Sequence, residues 1–348
     1  MRGRVSLVGA AVLLAVAASA VPAAAGTRTA RVSTGPELER AMAGARPGDT
    51  IRLADGTYRA EAFTTASGTR WAPITLVGSR RAVIVNDRFE PSTTPCPSGH
   101  TAYGIWLDGS SWWNLTGFTV AYSKKGIVLD HASHVTISGV LVHDIQDEGV
   151  HFRKSTTDSA IAGSIVHTTG LVQKGFGEGV YIGSAFGNWR CYGENGPGTP
   201  DRSDRIDVIG NRLGPGIAAE HIDIKEGTVG GRVIGNVFDG RGLTGANSAD
   251  SWVDAKGSRY EFTGNVGSYA QVPGSVFANG YEVHEQYGQG YGCANVWRGN
   301  VSDLGGVGKL AVEVNTQDMC AAKGEPNVVY ADNVVTRATV GLTNIPLS

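Results

Sequence analysis

The sequence predicts an all-β chain: a single-domain parallel β-helix with a helical cap at its N-terminal end. Three observations predict it. A short strand recurs, its first buried residue falling at Ile105, Ile127, Val150, Val180, Ile222, Val253, Tyr281 and Val312, at spacings of 22, 23, 30, 42, 31, 28 and 31 residues. A second marker follows each strand, a glycine at Gly117, Gly139, Gly163, Gly210, Gly235, Gly264 and Gly299, with Asn next to it at Asn211, Asn236, Asn265 and Asn300. The 50 glycines and scarce long apolar periods call for many short strands and tight turns rather than helices. Two markers per repeat, a minimum period near 22 residues and insertions at fixed places describe the coils of a solenoid. Leucine-rich and propeller signatures are absent.

In chain order, Met1-Arg2-Gly3-Arg4 opens a basic start, Val5 to Val21 is apolar, and Ala23-Ala24-Ala25 ends the stretch. That reads as a signal peptide over 1–25, leaving 26–348 as a secreted, soluble, monomeric domain. No later stretch is long and apolar enough to cross a membrane. Residues 35–45 are the one helical run, with Leu38 and Met42 at i, i+4, placed to cap an elongated core. Strand-like runs follow at 51–53, 74–77 and 83–85, and the coils occupy about 50–340. The insertion Ser184 to Arg205, rich in Gly, Pro and Asn, is placed to wall a binding face. Loss of Arg2 and Arg4 with the signal moves the net charge from -2 to -4, which gives no support for nucleic-acid binding. Cys96, Cys191, Cys293 and Cys320 fit no zinc spacing; export makes two disulfides the expectation, with Cys293–Cys320 favoured among three pairings because both follow strands of adjacent repeats.

Register decides which side chains share a face. One residue after each first marker come Trp106, Val128, His151, Tyr181, Asp223, Asp254, Glu282 and Glu313. Three after come Asp108, Asp130, Arg153, Gly183, Lys225, Lys256, His284 and Asn315; two before come Glu148, Glu178, Glu220, Ser251 and Asn279. With coils about 4.8 Å apart, Lys225 and Lys256 repel by about 3 kcal/mol at an effective dielectric near 20, which alone moves one lysine toward a useful base; Asp223 and Asp254 on the same face offset part of that shift and leave its net size open. The Glu148, Glu178 and Glu220 stack is costly without a cation, and hard oxygen ligands suit Ca²⁺. A cation there, beside Lys225, suits β-elimination on a uronic-acid polysaccharide, the metal acidifying the C5 proton and the lysine taking it. The plainer readings are a solvated, charge-balanced ladder for the Asp/Lys columns, and covered aromatics for Trp106 and Tyr181 in place of sugar-stacking platforms. His151 and Arg153 are candidates to bind substrate anions, Asp254 and Glu282 to orient the lysines or bind hydroxyls. The Asn ladder reads as structural.

The run Gly48-Asp49-Thr50-Ile51-Arg52-Leu53-Ala54-Asp55-Gly56-Thr57-Tyr58, followed by Ala72-Pro73-Ile74-Thr75-Leu76, is similar to the opening of secreted polysaccharide lyases. Those enzymes belong to the pectate-lyase-type right-handed β-helix superfamily. Glu220 five residues before Lys225 resembles the pattern of the chondroitinase B and alginate lyase group. In that group a Glu binds Ca²⁺, a Lys is the base and an Arg on the next coil assists. The resemblance implies Glu220 as a metal ligand and Lys225 as base; Lys256 stands on the next coil in place of the arginine. Neither the Arg motif of the main pectate lyases nor the Asp pairs of polygalacturonases is evident.

The expectation is therefore a secreted polysaccharide lyase acting on an acidic polysaccharide. Lys225 is the base, Lys256 or His284 the proton donor or carboxylate clamp, and Glu178, Glu220, Asp223 and Glu148 the Ca²⁺ ligands. The alternatives are a glycoside hydrolase using two of Asp223, Asp254 and Glu282, and a non-catalytic carbohydrate-binding β-helix.

Overall fold

The structure is a computed structural model and describes residues 27–88, 96, 102–270, 276–285 and 288–348. The expected signal segment, 1–25, lies outside the described residues. Alternation of inward and outward side chains over three to six residues builds each strand: in Lys125–Asp130, Ile127 and Leu129 point into the core. These strands stack in parallel into three sheets, one running from Thr29–Val32 to Val328–Val329, one from Ala62–Thr64 to Gly341–Thr343, and one from Gly56–Arg59 to Val334–Thr336. The sheet from Ala62–Thr64 carries the columns read from the sequence. Ile105, Ile127, Val150, Val180, Ile222, Val253, Tyr281 and Val312 pair in one unbroken register, as expected.

Each coil has a third strand that the two markers did not announce. Thr119–Ala121, Leu141–His143 and Ile165–His167 are three residues long and bury Val120, Val142 and Val166 at their centres. One inward residue per strand leaves no periodicity to read. The glycine marker sits before this strand because the turn needs a left-handed backbone: Gly139 has φ 61° and Gly235 φ 63°.

The core is filled mainly by aliphatics in the early coils and by aromatic stacks in the later ones, Phe262 and Trp297 lying face to face with ring centres 4.9 Å apart and planes nearly parallel. Gly267 makes room for this: a Cβ there would stand 2.5 Å from the Trp252 ring. The Asn residues form a buried ladder in which each backbone N–H donates to the next side-chain carbonyl, Asn211 to Asn236 at 2.9 Å, Asn236 to Asn265 at 2.9 Å, Asn265 to Asn300 at 3.0 Å. It continues to Asn333, and a second ladder joins Asn295 to Asn327.

The helix Gly35–Ala43 begins at Thr34, whose backbone N–H donates to Glu37. It buries Leu38 and Met42 against the first strands of all three sheets. The disulfides are Cys96–Cys191 and Cys293–Cys320. The first ties down the 184–205 insertion, which Asp201 anchors from below by accepting from Ser184 Oγ at 2.6 Å and the Ser155 N–H at 2.8 Å. No helix among the described residues is long and apolar enough to cross a membrane.

Candidate active site

The 184–205 insertion and the turn carrying Asn247 stand over the columned sheet and enclose two adjoining cavities. One, of about 360 Å³, is lined by Glu220, Asp223, Lys225, Asp254, Lys256, Glu282 and His284; the other, of about 320 Å³, by Lys125, Glu148, His151, Arg153, Glu178 and Tyr181. They meet at Ala185, Lys225 and Asn247, so Lys225 occupies the centre of one groove.

Strand pairing places Tyr181, Asp223, Asp254 and Glu282 side by side on successive coils. Lys225 Nζ lies 2.5 Å from Asp223 Oδ2 and 5.2 Å from the centre of the Tyr181 ring. Lys256 is ion-paired to Asp254 and reaches within 3.7 Å of Asp223 Oδ1. His284 Nδ1 is 3.3 Å from Asp254 Oδ1. All four Asp and Lys side chains are buried.

Asp223 and Asp254 more than offset the repulsion between the lysines, where the sequence predicts a partial offset. Burial does act to lower Lys225, but the charges of Asp223, Asp254 and Glu220 outweigh it and hold its pKa well above the usual lysine value. Lys256 is likewise raised: burial opposes, and Asp223 and Asp254 prevail. The carboxylates touch the ammonium groups, while the other lysine's charge acts from a coil away. Burial acts to raise the pKa of Asp254, but Lys256, His284 and Lys225 together outweigh it, so the pKa falls. His284 is lowered by burial, against Asp254, and is neutral at pH 7.

Glu178, Glu220 and Asp223 offer carboxylate oxygens that all lie within 4.8 Å of one another, and all three residues are buried. Burial pushes Glu178 and Glu220 well above the carboxylate range; Glu148 and Asp223 add to it for Glu178, and Asp223 and Asp254 for Glu220. Glu178 Oε2 and Asp223 Oδ1 have no hydrogen-bond donor among the described residues. A crowded set of buried acids with an unsatisfied oxygen fits a hard divalent cation. Glu148 stands apart from this trio: it is ion-paired to Lys125 and lies 3.6 Å from His151 Nδ1.

The other expected residues divide. Glu282 belongs to the site; it accepts from Asn279 Nδ2 at 2.8 Å, and burial raises its pKa to about 7. Tyr181 is in the site beside Lys225. His151 lines the groove, but burial holds its pKa well below the usual value, and Nε2 faces the Gly183 carbonyl at 3.0 Å, so it carries no charge for an anion. Arg153 is committed to Asp130, with Nε at 2.5 Å from Oδ1 and an Nη2 bond of 3.1 Å to Oδ2. Trp106 is not brought to the site; it donates to the same Asp130 and packs on Phe63 at 4.8 Å. Lys125 was missed. It sits two residues before Ile127, so carrying the turn column one coil back from Glu148 finds it.

No family model and no curated protein matches the chain. Solved structures do. The chain is similar to an alginate lyase from Paenibacillus sp. str. FPU-7, with 36% identity, a TM-score of 0.78, and coverage of 92% of this chain and 99% of that one. It shares its fold with the pectate lyase Pel9A, at 15% identity and TM-score 0.54, covering 87% of this chain and 72% of that one. The same holds for a GH136 lacto-N-biosidase from Eubacterium ramulus, at 12% identity and TM-score 0.57, covering 92% and 68%. At 36% identity over nearly the whole of both molecules, the chain belongs to the family of the Paenibacillus enzyme and is a right-handed parallel β-helix polysaccharide lyase.

Proposed function

We propose that this lyase is a secreted enzyme that cleaves alginate, or a closely related uronate polymer, by β-elimination at Lys225. The observation that carries the reading is the convergence on one groove of Lys225, Lys256 and Tyr181 with three buried carboxylates crowded within 4.8 Å. In the reaction Lys225 Nζ takes the C5 proton of the uronate, the C4–O4 bond breaks, a C4=C5 double bond forms, and O4 leaves with a proton from the protein. Glu178, Glu220 and Asp223 would hold Ca²⁺. When bound, the ion would offset both their charge and the substrate carboxylate's, acidify C5–H and weaken the field that keeps Lys225 protonated.

Lys256 is the donor to O4 in this reading, because Asp223 and Asp254 keep it charged on the coil after Lys225. Asp254 fixes Lys256 and turns the neutral His284 toward the groove. One observation favours a second donor: Tyr181 sits on the coil before Lys225 with its ring under the ammonium, and burial, with Asp223, holds its phenol proton firmly. The two differ in which side of Lys225 the leaving sugar occupies.

The test is the ultraviolet absorbance of unsaturated uronate released from alginate, with Ca²⁺ or a chelator, by the parent, Lys256→Ala and Tyr181→Phe. Loss of about a hundredfold or more in kcat identifies the donor. Equal kcat in all three, or no absorbance from alginate with Ca²⁺ present, contradicts the proposal.

A further inference from the structure

A cavity of about 690 Å³ lies outside the lyase groove. It is an open trough on the sheet that starts at Thr29–Val32, and no residue of its lining borders the lyase groove. Its floor is the outward column Asn114, Thr136 and Ala160, continued by Asp207 and Arg232. Along one wall Trp112 and His134 stack, 4.0 Å between ring centres and 22° between planes.

The wall is built at a conformational cost. Trp112, His134, Asp158 and Arg205 occupy one corner position on successive coils, all with left-handed backbone, φ 60°, 55°, 51° and 55°. The next coil fills that position with Gly230, at φ 66°, the residue that adopts it freely. A bulky aromatic there is a costly choice, and its effect is to present the Trp112–His134 plate to the trough. Three guanidiniums line the same trough, Arg70, Arg205 and Arg232, against two carboxylates, Asp158 and Asp207. Arg205 and Arg232 are held in place by those carboxylates at 2.6 Å each. Core packing explains neither the outward-facing plate, in which His134 is exposed and Trp112 half-buried, nor the third guanidinium, Arg70, which lies 5.0 Å over the ring of exposed Trp71.

We propose that this trough is a second, non-catalytic binding site for an acidic polysaccharide, with a pyranose face on the Trp112–His134 plate and uronate carboxylates on Arg70 and its neighbours. It would hold the polymer on the enzyme between cleavages in the lyase groove. The ligand class rests on the lyase reading above; the trough's geometry does not.

The experiment is affinity electrophoresis through gels containing alginate, with a neutral β-glucan as the control polymer. The parent, Trp112→Ala and His134→Ala are compared, with melting temperatures to confirm folding, and KM is measured on long alginate and on a short oligosaccharide. Expected are retardation by alginate and not by the glucan, weakened about fivefold in each variant, and a matching rise in KM for the long polymer only. Unchanged retardation in both folded variants overturns the proposal, as does equal retardation by the glucan. Cleavage with no dependence on Trp112 or His134 sinks this site and leaves the lyase reading standing. Retardation that depends on them in a protein that forms no unsaturated product sustains the site and sinks the lyase reading.

Discussion

Two polar ladders climb the same coils, and they are built on opposite terms. In the Asn ladder every described rung from Asn211 to Asn300 donates to and accepts from its neighbours at 2.8 to 3.0 Å, and nothing is left over. In the acidic ladder Glu178, Asp223 and Asp254 each keep a buried oxygen without a hydrogen-bond donor among the described residues, and burial holds Glu178 and Glu220 far above the usual carboxylate range. Burial is equal in both; satisfaction is not. A buried polar group that has all its partners stabilises the fold, whereas one held short of partners is poised to take them from a ligand. The early coils of the columned sheet follow the first rule too, since Asp130 absorbs Arg153, Lys154 and the Trp106 indole.

That contrast can be broken by mutation. The largest effect expected is from Lys225→Ala, which lowers kcat on alginate by about a thousandfold while leaving the thermal transition in place. A variant that unfolds instead would make Lys225 a structural residue. Next comes Asn265→Ala in the other ladder. It strands the Asn236 N–H, takes an acceptor from Asn236 Nδ2, and removes the side-chain donor to the Val233 carbonyl and one of the donors to Asn300 Oδ1, so stability falls by about 3 kcal/mol with kcat of the folded protein unchanged. Chemical denaturation paired with kinetics reads both.

A pH comparison sharpens the distinction further. Glu282 has a pKa of about 7 in the folded protein against 4.5 for the free side chain, so the folded state binds its proton more tightly. Its contribution is fully present below about pH 4.5 and is lost as pH rises to 7, by about 2 kcal/mol. Relative to Glu282→Gln, the parent should therefore lose stability between pH 5 and 8; a constant difference would mean Glu282 ionises normally. The smallest effect is from Glu178→Gln. With chelator present it changes stability little, because burial already favours the uncharged acid that Gln mimics, yet it raises the Ca²⁺ concentration needed for half-maximal activity. An unchanged Ca²⁺ requirement would remove Glu178 from the cation site.

Much of this architecture is legible before folding because a solenoid turns sequence period into spatial adjacency. Ile222 and Val253 are separated by one coil, so aligning them puts Asp223 beside Asp254 and Lys225 near Lys256 without any tertiary knowledge. What is not legible is which partner each side chain chooses across the groove. The lysines' state depends on contacts of a few ångströms to Asp223 and Asp254, and register alone names those carboxylates as an offset without showing that they dominate. Arg153 and Glu148 sit in the expected columns but are claimed by Asp130 and Lys125. The three-residue third strand and the Trp112–His134 trough carry too little period to announce themselves.

The most direct test of the account measures unsaturated uronate and new reducing ends together as the enzyme acts on alginate. Elimination at Lys225 yields one chromophore for each new reducing end. Reducing ends without the chromophore would mean hydrolysis, and the catalytic roles would pass to carboxylates among Asp223, Asp254 and Glu282.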